Sequence, residues 1–226
     1  MKNQYTQNLE ELVKQIIKPL KKVPFNLVIE SIYGKKVLPF DRLAKENKVL
    51  LQNLKLLAEN VGKEVNQSGG ISSKRVNEVG NYIEPFVKKS LEKIGYKVLL
   101  EITKSGKKKS VGYPDFQFKD SDGRVCYLEC KTFNLKSANT TQRSFYLSPS
   151  SDPKVNFDGF HFVISFEVTS NLQRYECASY KIVSIENLSC DLKQEFNSDN
   201  KRLYAEESLL AQGKFTKTKT KKNHDS

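Results

Sequence analysis

Apolar positions along the chain change period near residue 95. Before that point they recur every three or four residues, as on one face of a helix. Leu9, Leu12, Val13, Ile16, Ile17 and Leu20 form a first stripe ahead of Pro24. Leu50, Leu54, Leu57 and Val61, in LLQNLKLLAENV, form a second. Between them NLVIESIYGKKVLPFD fits neither period, and its Gly34 and Pro39 mark turns around a short element. NQSGGISS, residues 66–73, has the composition of a linker: two glycines, three serines and one large apolar residue. A third helical face follows, with Val79, Ile83, Val87, Leu91 and Ile94. Ser72 or Ser73 is its candidate N-cap and Gly95 its C-terminal glycine. Pro85 predicts a kink or a division inside this helix.

Beyond Gly95 the segments read as strands: KVLLEI (97–102), VGYPDFQF (111–118), RVCYLECK (124–131), FHFVISFEV (160–168) and RYECASYKIVSI (174–185). KSGKKKS is a basic turn and KDSDG a hairpin turn. Residues 132–158 are polar and irregular, with a short helix near Gln142, and a last helix is expected over Lys201–Ala211. The order gives an α/β (α+β) chain: a helical N-terminal region, 1–65, a core, 66–212, and a basic disordered tail, 213–226.

Charge narrows the partners. Lys and Arg number 38 against 26 Asp and Glu, a net charge of +12, which favours a polyanion such as nucleic acid. The four cysteines form no CxxC pair and there are only two His, which argues against zinc and for a reduced cytoplasmic setting. His161, in an apolar strand, reads as a core histidine and not as a general base. No apolar run reaches 18 residues, and the N-terminus has no apolar stretch of an export signal.

One stretch carries chemistry. In YPDFQFKDSDGRVCYLECK, alternation puts Cys126, Leu128 and Cys130 on one face of a strand and Val125, Tyr127, Glu129 and Lys131 on the other. The KDSDG hairpin brings Asp115 towards Glu129, and Pro114 argues for a bend or edge there. Two converging carboxylates repel unless a cation joins them. Oxygen ligands suit Mg²⁺ or Mn²⁺, and an adjacent ammonium can position an attacking water and offset developing charge. Asp, Glu and Lys at this spacing are sufficient parts for phosphodiester hydrolysis.

Pro114-Asp115, thirteen residues, then Glu129-Cys130-Lys131 resembles the motif of the PD-(D/E)XK nuclease superfamily, and the chain looks most like a type II restriction endonuclease. The preceding helix, GNYIEPFVKKSLEKIGYKV, resembles the first core helix of these enzymes. The resemblance implies a restriction-endonuclease-like fold, a mixed central β-sheet flanked by helices. It implies Mg²⁺, with Mn²⁺ as a substitute, held by Asp115, Glu129 and the Cys130 carbonyl, with Lys131 as the catalytic amine. Glu84 holds the position of an added helical ligand, and Glu78, six residues earlier, is the second choice. By the same resemblance, Gln142 and Arg143 are candidate DNA contacts. Lys107, Lys108 and Lys109, beside Lys104 on the basic turn, would neutralise phosphates. Double-stranded DNA as substrate, 5′-phosphate products, a homodimer joined or guided by residues 1–65, and a partner methyltransferase complete the expectation. Two other readings stand beside it: another nuclease of the superfamily, for repair, junctions or modified DNA, or a non-catalytic DNA-binding module in which the carboxylates pair with Lys131.

Overall fold

The change of period is a change of layer. A computed structural model describes residues 3–74, 78–99, 103–107, 109, 112–135, 145–171 and 174–213. The helices are α1 (Gln4–Ile16), α2 (Phe25–Tyr33), α3 (Lys45–Gln67), α4 (Val79–Lys93) and α5 (Asn200–Leu203). The strands are β1 (Val23–Pro24), β2 (Ile71–Ser72), β3 (Val98–Leu99), β4 (Phe116–Lys119), β5 (Val125–Phe133), β6 (Phe160–Asn171), β7 (Arg174–Ser184) and β8 (Ser189–Cys190). The chain divides into two compact units, Leu20–Asp191 and Met1–Pro19 with Leu192–Ser226.

The larger unit is built on a mixed six-stranded sheet in the order β2-β7-β6-β5-β4-β3, and β1 pairs separately with β8. β5 and β6 run parallel and the other neighbours antiparallel. The KDSDG turn forms as expected. The Asp120 carboxylate accepts the N–H groups of Asp122 and Arg124, and Gly123 takes the positive φ of 76° that the turn requires.

Each face of the sheet has its own core. On one, Leu50, Leu54, Leu57, Val61 and Val65 of α3 and Ile83, Val87 and Leu91 of α4 pack on the even positions of β5 and β6, among them Cys126, Leu128, Cys130, Phe162 and Ile164. On the other, Phe25 and Ile29 of α2 pack with Tyr113, Val125, Tyr127 and Val155. The ambiguous segment is thus a helix, closed by Gly34 at φ 62°. It fits neither period well because it is short and only Phe25 and Ile29 are buried.

Four expectations are corrected. NQSGGISS is not a loose linker: it ends α3 and forms β2, whose Ile71 pairs with Tyr175 of β7. Its Gly70 serves a close approach, since a Cβ there would stand 2.9 Å from the Tyr175 carbonyl oxygen. α2 and α3 lie in the same compact unit as the sheet. Ser72 lies in β2 and α4 begins only at Val79, so neither serine is its N-cap. α4 is also not divided at Pro85, which is exposed within the continuous helix Val79–Lys93. The last helix shrinks to Asn200–Leu203 and a 3-10 turn at Glu206–Ser208. Of the two strands around the basic turn, Val98–Leu99 and Phe116–Lys119 are formed, and 100–102, 110 and 111 lie outside the described residues. In the smaller unit α1 forms over its stripe, yet Leu9, Leu12 and Ile16 remain exposed.

Candidate active site

The register Phe116↔Leu128 continues so that Asp115, one residue before β4, falls level with Glu129. Because β4 starts only at Phe116, the Cys130 N–H meets a side chain in place of a ladder carbonyl. It donates to Asp115 Oδ2 at 2.7 Å. The bend before Asp115 is anchored by Tyr113, whose ring packs edge-on against Phe25 and Phe145 and whose hydroxyl bonds His161 Nδ1 at 2.6 Å. The Tyr113–Pro114 peptide is cis.

On β5 the strand alternation holds as read. Cys130 points to the α3/α4 core, while Glu129 and Lys131 share the opposite face. Lys131 Nζ donates to Glu129 Oε1 at 2.6 Å. Glu129 is only 5% exposed, and its Oε2 has no hydrogen-bond partner among the described residues. Burial, then the Asp115 charge, push its carboxyl up to about 7 against the pull of Lys131. Burial also raises Asp115, opposed by the Cys130 N–H and by the charges of Lys131 and Lys154. Burial by itself would lower the Lys131 ammonium, but the Glu129 and Asp115 charges outweigh it and the net direction is upward.

The two carboxylates, one with a buried oxygen unsatisfied among the described residues, are an oxygen donor set fit for a hard divalent ion. Among the described residues no three His, Cys, Asp or Glu side chains converge, so the protein would contribute two carboxylates and a backbone carbonyl, with water filling the rest.

The other predicted residues are placed as follows. Glu84 lies on α4, across the sheet from Glu129, and its charge bears on the buried Cys130 thiol, which burial raises first. Glu78 lies in the turn ahead of α4. Lys107 is exposed on the basic turn, and Lys109 is half-buried with Nζ 3.1 Å from Ser150 Oγ. Lys108, Gln142 and Arg143 lie outside the described residues. An open groove, lined in part by Lys35, Lys97, Lys104, Gln117 and Ser150, borders the basic turn. His161 is a core residue, held below its usual range at about 3 by burial. Sequence reasoning passed over Lys154, which is buried beside the carboxylates and donates to the Pro114 carbonyl. Nothing in the polar stretch SPSSDPKV marks that lysine as inward-facing.

The helix-flanked sheet thus carries an Asp–Glu–Lys cluster on the hairpin of β4 and β5. The sequence profile of the Type II restriction enzyme MjaV family matches residues 19–207, and the chain belongs to that family: it is a type II restriction endonuclease, an endodeoxyribonuclease. Type II restriction enzyme MjaV of Methanocaldococcus jannaschii is 38% identical over 220 residues, covering 91% of this chain and 95% of its own. Among solved structures, tetrameric restriction endonuclease SfiI bound to cognate DNA matches 66% of this chain and 67% of its own, with a TM-score of 0.40 and 13% identity. Among the described residues no helix is long and apolar enough to cross a membrane.

Proposed function

We propose that this restriction endonuclease works by the PD-(D/E)XK arrangement, with Asp115, Glu129 and Lys131 as its catalytic residues and Mg²⁺, or Mn²⁺ in its place, as its cofactor. The observation that carries the reading is the buried Asp115–Glu129 pair with its unsatisfied Glu129 Oε2, next to the Lys131 ammonium. Asp115, Glu129 and the Cys130 carbonyl would hold the ion. The chemistry a bound Mg²⁺ supplies is Lewis-acid polarisation of the phosphoryl oxygen and a lowered pKa of water.

Lys131 does the rest on the protein side. Its ammonium, on the same face as Glu129, orients the attacking water and faces the charge that grows at phosphorus. The product is a 5′-phosphate. Glu84 is the added helical ligand that the resemblance implies; the support for it is that its charge bears on Cys130, between the two β5 site residues. Lys107, Lys108 and Lys109, with the neighbouring lysines of the groove, neutralise phosphates of double-stranded DNA, and Gln142 and Arg143 read or position it. Cutting both strands of a two-fold symmetric site calls for two copies of the active site, hence a homodimer, with residues 1–65 contributing to the dimer or to DNA contact. A cognate methyltransferase protects the host sequence.

The experiment is digestion of unmethylated phage DNA by the purified protein with Mg²⁺ or with EDTA, beside Asp115→Ala and Lys131→Ala. Discrete fragments that need Mg²⁺ and vanish in both variants are expected. Undiminished cleavage by Asp115→Ala would remove this site, and a smear in place of fragments would remove sequence specificity.

A further inference from the structure

Lys154 is 5% exposed, a rare position for an ammonium unless something in the fold uses it. Its Nζ donates to the carbonyl oxygen of Pro114, the residue immediately before Asp115. Its positive charge acts on both Asp115 and Glu129. A methionine would fill the same space without burying a charge.

The segment that carries Lys154 is tied down on both sides. Two residues earlier, the Asp152 carboxylate accepts the N–H and the hydroxyl of Ser105, at 2.8 and 2.6 Å. The Lys104 N–H donates to the Pro153 carbonyl at 3.0 Å. On the other side Val155 is buried in the second core, and the N–H groups of Asn156 and Phe157 donate to the Tyr127 hydroxyl. The ammonium is therefore delivered from a backbone whose own position is set from residue 152 to residue 157. What it holds is the bend between Tyr113, locked in the core by its ring, and Asp115, whose carboxylate reaches the Cys130 N–H.

We infer that Lys154 is a positioning residue of the active site: by holding the Pro114 carbonyl it places the Asp115 carboxylate opposite Glu129 for cation binding. The inference rests on the reading of Asp115 and Glu129 as the cation's ligands. A buried cation that served only to balance the two carboxylates would have the opposite signature. Its removal would leave a more negative site that binds a divalent cation more tightly. Loss of a positioning contact leaves a misplaced ligand and weaker binding.

The test is Mn²⁺ binding to the DNA-free protein, by calorimetric titration or by loss of the free-ion EPR signal, with a thermal melt to establish that each variant is folded. Wild type is compared with Asp115→Asn, Lys154→Met and Lys154→Arg. Lys154→Met is expected to bind Mn²⁺ about tenfold more weakly or worse, the usual scale for losing a group that orients a ligand. Lys154→Arg keeps donor and charge and is expected to stay within roughly threefold of wild type, well inside that scale. Unchanged or tighter binding by Lys154→Met overturns the inference. So does a folded Lys154→Arg weakened by about tenfold, whether or not Lys154→Met folds. Asp115→Asn distinguishes the two failures: Mn²⁺ binding there equal to wild type would sink the ligand assignment and the inference with it, whereas weakened binding in Asp115→Asn with unchanged binding in Lys154→Met would overturn only the role of Lys154.

Discussion

Glu129→Gln tests the electrostatics of the site without any DNA. In the folded chain the carboxyl is pushed from its ordinary 4.5 up to about 7, first by burial and then by Asp115. Each pH unit corresponds to about 1.4 kcal/mol, so keeping Glu129 ionised costs the fold about 3 kcal/mol. The sign follows from proton binding. Between these two values the folded chain holds the proton and the unfolded chain does not. The protonated form's contribution is complete below 4.5 and is lost as pH rises through 7. Gln cannot titrate, so the stability of wild type minus that of Glu129→Gln isolates this carboxyl from the others. Urea unfolding in EDTA at steps from pH 4.5 to 8 should show that difference falling by about 3 kcal/mol. Repeating the series with Mg²⁺ should flatten the fall, because a bound divalent cation favours the ionised form. A difference that stays level, or rises with pH, would refute the claim that Glu129 is buried without an adequate counter-charge.

Three further outcomes are expected. Gly70→Ala places a Cβ 2.9 Å from the Tyr175 carbonyl oxygen at a φ of 78°, so it should lower stability by about 2–4 kcal/mol in thermal or urea unfolding. Tyr127→Phe removes the hydroxyl that donates to the Phe157 carbonyl and accepts the N–H groups of Asn156 and Phe157. It should cost about 2 kcal/mol in the same measurement, through buried backbone groups left unsatisfied. Lys107→Ala, on the exposed basic turn, should weaken DNA binding on all sequences alike and reduce the slope of log affinity against log salt by about 1, read from a fluorescence titration at several salt concentrations.

Much of the fold is legible in local pattern. The stripes of α3 and α4 are spaced at the helical period because one face of each packs on a sheet, as Leu54 and Ile83 do. KDSDG reads as a hairpin because Asp120 and Gly123 carry the turn chemistry themselves. The placement of Glu129 beside Lys131, away from Cys130, follows from strand alternation, which depends on no distant contact.

The failures share one cause. Periodicity reports which residues share a face, and not what that face meets. NQSGGISS has a linker's composition, yet its Gly70 is where the chain presses against β7, more than a hundred residues on. The stripe of α1 is helical by pattern and forms a helix, but its leucines lie exposed. Lys154 sits in a polar, aperiodic stretch, and only the folded chain brings its ammonium to the Pro114 carbonyl forty residues away. By itself, then, the sequence determined the elements, the hairpin and the chemical identity of Asp115, Glu129 and Lys131, because each depends on neighbours along the chain. Tertiary structure alone decided that Glu129 is buried with one oxygen unsatisfied, and that a second lysine stands behind the Asp115 bend. Burial and long-range hydrogen bonds arise from segments with no local signal for one another, and those are the features that set the charge balance of the site.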